Sequence, residues 1–168
     1  MELFKIINYN NLFFNEKFYD FLKTMQPVSI AQIKKQADIV NFSKHDKENF
    51  IKTCNILVKN PQQDNIYFDE FKETLKYFSR FYKIGSNYNY QYHDVGTYFP
   101  WHTDEHMNEL ASIIIPLNKD GKGTLETIYK HETFTRSYIE TIYLNTTLKH
   151  RTSPILKGYA YLRLPIIS

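Results

Sequence analysis

The chain has 168 residues and a formal net charge of +3 at pH 7, and 42% of its residues are hydrophobic. These values predict one soluble domain over residues 1–168, and the scattered basic residues do not indicate a nucleic-acid partner. One cysteine excludes an intramolecular disulfide, and the lack of a signal peptide or a bilayer-length apolar run favours a cytoplasmic protein without a membrane partner.

Helical patterns dominate the first part of the chain. After a possible short strand over residues 2–7, apolar residues recur at spacings of three and four in residues 14–25, 46–58 and 68–82. That spacing places the apolar side chains on one face of each helix. We therefore expect residues 1–85 to form a mainly helical support region.

Strand patterns replace the helical ones after Gly85. NYNYQYH alternates polar and aromatic residues, ASIIIPL is a β-branched run that meets a proline, and NKDGKG has the composition of a turn. The segments TLETIYK, SYIETIYLN and GYAYLRLPI follow, with short connectors between them. Many short strands at close spacing predict a β-sandwich or barrel over residues 86–168, and hence an α+β protein.

The stretch YFPWHTDEH, residues 98–106, concentrates two histidines and two acids and suggests a metal site. His102, Glu105 and His106 match the motif H-x-x-E-H, in which two histidines on one helical face bind zinc. Pro100 directly before the motif and the strand pattern after it argue against the long helix that such enzymes use. A zinc hydrolase is therefore kept as an alternative.

An extended backbone gives the same stretch a different chemistry. His102 and Asp104 are two residues apart, so their side chains lie on one face of a strand. With a distant histidine, such a pair makes the facial triad of non-haem Fe(II) oxygenases, which leaves coordination positions open. His150, on a late strand, is the candidate for that third ligand. Arg163 on the last strand is the cation that would hold a dianionic cosubstrate.

These motifs in this order resemble the Fe(II)/2-oxoglutarate-dependent dioxygenase superfamily, with a prolyl-hydroxylase-like pattern. The segments that carry the resemblance are YHDVGTYFPWHTDEH, SIIIPLN, GTLE and LKHRTSPILKGYAYLRLPI. The resemblance covers the C-terminal half of the chain. It implies a double-stranded β-helix, or jelly roll, as the C-terminal core, with the N-terminal helices packed on one sheet. It also implies Fe(II), 2-oxoglutarate and O2 as cofactors.

Carried over position by position, the resemblance makes His102, Asp104 and His150 the catalytic iron ligands. It makes Arg163 the partner of the C5 carboxylate of 2-oxoglutarate. Many members carry this cation at the position of Ala160, so another register or another group is an alternative here.

Two tyrosines are the main additional candidates for binding the cosubstrate. In similar proteins a tyrosine shortly before the His-x-Asp pair hydrogen-bonds the cosubstrate, which favours Tyr92. Tyr161 shares one face of a regular last strand with Arg163. Arg151 and Lys157 are further substitutes for the carboxylate partner.

The reaction implied by the resemblance is hydroxylation, in which O2 and decarboxylation of 2-oxoglutarate are coupled to C–H oxidation. Asp104 favours hydroxylation because related halogenases lack a carboxylate at that position, whereas desaturation or cyclisation would use the same residues. The short chain favours a small molecule, an amino acid or a protein side chain as substrate. A non-catalytic β-sandwich binding module is the second alternative.

Overall fold

The computed structural model describes residues 4–40 and 42–168. The strands are β1 (Phe4–Ile6), β2 (Gln26–Pro27), β3 (Ile56–Lys59), β4 (Asn89–His93), β5 (Ala111–Pro116), β6 (Thr124–Tyr129), β7 (Glu132–Ser137), β8 (Ile142–Leu144), β9 (His150–Thr152) and β10 (Tyr159–Ile166). The helices are α1 (Phe18–Leu22), α2 (Ile30–Ile39), α3 (Lys44–Thr53) and α4 (Phe68–Ser79). Short 3₁₀ turns lie at Pro61–Gln63 and Glu105–Met107.

Two antiparallel sheets carry the fold. The larger sheet has the strand order β1-β8-β5-β10-β4-β3-β2, and the smaller one has the order β7-β6-β9. Strand β10 lies between β5 and β4, so the C-terminal strand is central in the larger sheet. Because side chains alternate along a strand, β10 and its neighbours present one set of residues to each face of this sheet.

The helical layer covers one face of the larger sheet. Aromatic residues of α1, α4 and their flanking loops pack against inward-facing sheet residues; the fully or nearly fully buried members include Phe13, Phe21, Tyr67, Phe78, Tyr90, Ala160 and Leu162. Burying one large apolar side chain contributes roughly 1.5–3 kcal/mol. This cluster is the largest apolar core of the described residues.

A second core lies between the two sheets. It joins residues of the larger sheet to residues of the smaller sheet and its connectors: Phe4, Leu125, Tyr138, Ile142, Leu144, Ile155, Tyr159 and Tyr161. The rings of Tyr138 and Tyr159 stack at 4.2 Å between centroids. The two sheets therefore contact each other through apolar side chains, and residues of both sheets also line a cavity.

Three strands of the larger sheet come from the part of the chain predicted to be mainly helical. The predicted first strand is present as β1, although residues 2 and 3 lie outside the described residues. The predicted helix over residues 46–58 ends at Thr53, because Cys54 adopts an extended backbone and Ile56 then enters β3. Apolar spacing alone does not separate the end of that helix from the strand that follows.

Helices α1 and α2 also differ from the sequence pattern. The pattern over residues 14–25 gives only the five-residue α1, since the Asn15 side chain accepts from the Lys17 amide and forms a turn first. Helix α2 is not predicted by apolar spacing, yet Ser29 and Gln32 form a capping box that starts it. No helix within residues 4–40 and 42–168 is long and apolar enough to cross a membrane.

Candidate metal centre

Backbone hydrogen bonds bring His102, Asp104 and His150 together. The amide of His102 donates to the carbonyl of His150 at 3.0 Å, and the amide of His150 donates back at 2.9 Å. The amide of Asp104 donates to the carbonyl of Thr146 at 2.9 Å. The segment that carries the His-x-Asp pair is thus fixed to the chain around β9 at His102 and at Asp104.

The side chains of these three residues converge on one point. The Asp104 carboxylate lies 3.5 Å from His102 Nε2 through Oδ1 and 3.3 Å from His150 Nε2 through Oδ2. One potential ligand atom from each residue lies within 4.8 Å of the others. In the described part of the chain, this is the one group of at least three histidine, cysteine or acidic side chains with such spacing.

Main-chain carbonyls set the orientation of both imidazole rings. His102 Nδ1 lies 2.6 Å from the carbonyl oxygen of Pro100, and His150 Nδ1 lies 2.8 Å from that of Leu148. A carbonyl can only accept, so each Nδ1 carries a hydrogen, and in the neutral ring the Nε2 lone pair faces Asp104. Metal-binding histidines typically donate the N–H of the ring nitrogen that does not bind the metal to such an acceptor. Two nitrogen lone pairs directed at a carboxylate fit a divalent cation, and this donor set fits Fe(II).

Asp104 is held in its anionic form. Burial raises the pKa of this carboxyl, but when His102 and His150 also carry a proton on Nε2, their hydrogen bonds and charges outweigh the burial and hold the pKa below its usual range. A divalent cation in place of those two protons would favour the carboxylate in the same direction. The carboxylate is therefore available as a ligand at neutral pH.

A cavity of about 520 Å³ opens beside the three side chains. Its volume lies in the range of small-molecule sites. Its walls come from both sheets, from α2 and from the segment that joins α3 to β3. His102, Asp104 and His150 form part of the wall, so a metal ion held by them would face the cavity.

Arg163 and Tyr161 also line this cavity. The Arg163 guanidinium forms an ion pair with Glu109, and its NH1 donates to the carbonyl of Asn87 at 3.0 Å. Burial raises the pKa of Glu109, and the neighbouring Arg163 opposes that shift. The Tyr161 hydroxyl donates to Gln91 Oε1 at 2.7 Å. The structure thus brings five of the six predicted site residues to one cavity.

No sequence-family model matches the chain, and no curated protein matches it in sequence. Its structure aligns with a prolyl hydroxylase from Trichoplax adhaerens, solved in complex with a hypoxia inducible factor oxygen degradation domain peptide fragment. That match has a TM-score of 0.64 and 14% identity, and covers 97% of this chain and 83% of the other. A prolyl-4-hydroxylase from Pseudomonas putida aligns with a TM-score of 0.53 and 10% identity, over 90% of this chain and 82% of that one.

The chain shares the fold of these prolyl hydroxylases. The predicted jelly-roll core and the resemblance to Fe(II)/2-oxoglutarate-dependent dioxygenases are confirmed at the level of the fold. The group of His102, Asp104 and His150 is present within it.

Tyr92 is the predicted site residue that the structure does not bring to the cavity. On β4, Tyr90 and Tyr92 face the helical layer, whereas His93 faces the cavity. The Tyr92 ring also lies against Gly158, at a position where a side chain on residue 158 would not fit. The alternation of the strand therefore assigns Tyr92 to packing.

The residues of the alternative zinc motif do not converge. Glu105 and His106 are exposed and belong to the 3₁₀ turn Glu105–Met107, so no helical face joins them to His102. Trp101 is not among the residues that line the cavity, and the Arg151 guanidinium lies 4.6 Å from the centroid of its ring. The structure therefore brings His102 and Asp104 together with His150 and does not bring the zinc-motif residues together.

The cavity also contains polar residues that the sequence patterns do not single out. His93 Nε2 lies 3.1 Å from Gln91 Oε1 and 3.2 Å from the Tyr161 hydroxyl, and burial lowers the pKa of His93 to about 3. The alternation in NYNYQYH contains this signal, because the positions between the tyrosines share the opposite face. Glu109 does not line the cavity but pairs with Arg163, which does. It has no comparable signal in the sequence, since its place beside Arg163 depends on the pairing of β5 with β10.

Proposed function

We propose that this protein is an Fe(II)- and 2-oxoglutarate-dependent oxygenase that hydroxylates a small molecule, an amino acid or a protein side chain. The observation that carries the proposal is the convergence of His102 Nε2, His150 Nε2 and the Asp104 carboxylate on the wall of a cavity of about 520 Å³. The shared fold with prolyl hydroxylases supports the same reaction class.

The three ligands would hold the metal by one face and leave its cavity side open. His102 and His150 keep their rings fixed through Pro100 and Leu148, and Asp104 supplies the negative charge that favours a divalent ion. When bound, Fe(II) with 2-oxoglutarate and O2 would supply oxidative decarboxylation coupled to C–H oxidation. A carboxylate at position 104 supports hydroxylation as the outcome.

Arg163 is the residue that we propose for the C5 carboxylate of 2-oxoglutarate, with Tyr161 as a second partner. Both side chains line the cavity that contains the metal ligands. A guanidinium binds a carboxylate through parallel N–H donors, and the Tyr161 hydroxyl would add one neutral donor by turning from Gln91 to the carboxylate. Tyr92 is left out of this proposal because its ring lies on the helical side of β4.

The proposal also covers the class of substrate. The Trichoplax adhaerens structure contains a peptide fragment, which supports a protein side chain as one class of substrate. The cavity volume supports a small molecule or an amino acid equally well. Cavity walls that exclude bulk water would protect the reacting group from side reactions.

An anaerobic titration tests this proposal. Purified protein with Fe(II) should bind 2-oxoglutarate, and on admission of O2 with a cell extract as the substrate source it should form succinate. The variants His102→Ala, Asp104→Ala and His150→Ala should each lose metal binding and succinate formation. Turnover that survives His150→Ala but is lost in the matched variant His106→Ala would favour the zinc hydrolase. Absence of 2-oxoglutarate binding to the Fe(II) protein would favour the non-catalytic binding module.

A further inference from the structure

Helix α2 has two faces with different surroundings. One face packs in a buried apolar cluster through Ile33 and Ala37. The other face has four exposed residues that also line the cavity: Gln32, Lys35, Gln36 and Ile39. Residues three, four and seven positions apart lie on one side of a helix, so these four form a continuous stripe. We refer to them as the α2 rim.

The α2 rim forms a solvent-exposed part of the cavity wall, whereas the metal ligands form a buried part. The side chains of His102 and His150 are 8% and 5% exposed, while Ile39 is 46% exposed. The cavity therefore reaches from the candidate metal centre to the protein surface at α2. A ligand that extends from the metal centre to solvent on this side would contact the α2 rim and cover Ile39.

Lys35 gives the α2 rim an unbalanced positive charge. The cavity lining contains three lysine, arginine or acidic side chains, namely Lys35, Asp104 and Arg163. Arg163 pairs with Glu109, and Asp104 belongs to the candidate metal centre. Within residues 4–40 and 42–168, no carboxylate forms an ion pair with Lys35, and Asp38 of α2 pairs with a lysine of α3 instead. The charge of the rim is therefore complementary to an acidic ligand.

The two glutamines of the α2 rim offer hydrogen bonds to peptide groups. Oε1 of Gln32 accepts from the Ser29 amide, which leaves the hydrogens of its NH2 group for a ligand. Gln36, one turn further along, carries a second side-chain amide. Because an amide side chain contains the same donor and acceptor groups as a peptide bond, this pair suits a polypeptide backbone.

The length of the α2 rim favours a peptide segment over a free amino acid. From Gln32 to Ile39 the helix advances seven residues (39 minus 32), or about 10 Å at about 1.5 Å per residue. An extended peptide covers that distance with about three residues, at roughly 3.3 Å each, so one amino acid does not reach both ends. The rim has no aromatic side chain, and it therefore lacks the stacking surface of a site for single-stranded nucleic acid.

We propose that the α2 rim binds a segment of a substrate protein that carries acidic side chains beside the residue at the metal centre. Lys35 binds a carboxylate of this segment, Gln32 and Gln36 bind its peptide groups, and an apolar side chain covers Ile39. This inference rests on the proposed function, because it selects a protein side chain among the substrate classes given there. It makes Lys35 a specificity-determining residue.

Peptide pools of defined charge test this proposal. Short synthetic peptides are randomised at the centre and carry glutamate, glutamine or lysine at the flanking positions. The immobilised protein is exposed to each pool under anaerobic conditions, with and without Fe(II) and 2-oxoglutarate, and the retained peptides are quantified by mass spectrometry. The wild type should retain the glutamate pool about threefold more than the glutamine pool, because an exposed ion pair contributes modestly to binding. Added salt should reduce this difference.

Matched variants on α2 separate the rim from the rest of the helix. Lys35→Gln should abolish the preference for the glutamate pool, and Lys35→Glu should transfer it to the lysine pool. Lys34→Gln is the control, since Lys34 is exposed on the same helix but does not line the cavity. Ile39→Ser should weaken retention of every pool about threefold, whereas Ile30→Ser, at an exposed position outside the cavity, should not. Thermal unfolding of each variant confirms that it is folded.

The contrary outcomes are distinct. If the wild type retains all three pools equally, or if Lys34→Gln removes the preference as fully as Lys35→Gln, the α2 rim is not a site for acidic peptides. Binding of 2-oxoglutarate to the Fe(II) protein would then show that the proposed function stands. If a single-stranded oligonucleotide is retained more strongly than the glutamate pool, the rim binds nucleic acid and the proposal is wrong. If Lys35 selects the glutamate pool but the Fe(II) protein does not bind 2-oxoglutarate, the peptide site stands and the proposed function fails.

Discussion

The two faces of β4 and β10 carry different kinds of side chain although they belong to the same strands. Toward the helices, Tyr90, Ala160 and Leu162 are fully buried in the largest apolar core. Toward the cavity, Gln91 and His93 join Tyr161 in a polar cluster. One backbone thus serves packing on one side and lines the cavity on the other, because side chains alternate along a strand.

Because the two faces have different surroundings, substitutions on them should affect different properties of the protein. A helix-facing substitution should change the free energy of unfolding and leave ligand binding intact in the molecules that remain folded. A cavity-facing substitution should change ligand affinity or the pH dependence of stability. The same pair of strands offers matched variants for both.

The largest effect is expected on the helical face. Tyr90→Ala should reduce the free energy of unfolding by about 3–5 kcal/mol in urea denaturation, because it removes a fully buried ring that contacts Phe13, Phe21 and Phe71. Tyr90→Phe is the control, since the Tyr90 hydroxyl has no hydrogen-bond partner in the described residues. That control should be as stable as the wild type or more stable, and a clear loss would show that the hydroxyl is satisfied.

The second-largest effect is expected from His93 on the cavity face, which should make the free energy of unfolding depend on pH. Burial lowers the pKa of His93 from 6.5 to about 3, so the unfolded chain binds a proton at this residue more readily than the folded one. The contribution of the neutral ring to stability is therefore complete above pH 6.5 and is lost as the pH falls toward 3. At its limit it amounts to roughly 5 kcal/mol.

Urea denaturation of the wild type and His93→Gln at several pH values measures this contribution. The variant should lose less stability between pH 6.5 and 4 than the wild type does. The exposed His45, changed to Gln, is the matched control. Parallel pH profiles for the wild type and His93→Gln would show that the buried ring does not titrate in this way.

The smallest effect contrasts two tyrosines. Tyr161→Phe should weaken 2-oxoglutarate binding to the Fe(II) protein about three- to tenfold, because it removes a hydroxyl in the cavity wall. Tyr92→Phe should leave that affinity unchanged, because its ring lies on the helical face. Calorimetric titration of both variants measures the contrast, and an equal loss in both would contradict the assignment of faces.

Local pattern predicts much of the C-terminal strands and the metal ligands. The period of two in NYNYQYH and the spacing of the His-x-Asp pair each lie within a single short segment of the chain. Both patterns correspond to what the structure shows, namely strand β4 and the bridge at His102. Helix α2 has a capping box but weak apolar spacing, so periodicity does not reveal it. Glu109 meets Arg163 through the pairing of β5 with β10, and the Thr146 carbonyl meets the Asp104 amide between segments far apart in sequence, so no local pattern encodes either contact.

The reciprocal hydrogen bonds between His102 and His150 also affect the kinetics of folding. The two ligands belong to segments far apart in sequence, so the centre does not exist until the long loop between them has closed. Contacts around β9 must offset the entropy cost of closing this loop before any ion can bind all three ligands. Added Fe(II) should therefore leave the refolding rate in anaerobic stopped-flow experiments almost unchanged and slow the unfolding rate. Accelerated refolding would instead show that the ligands meet early.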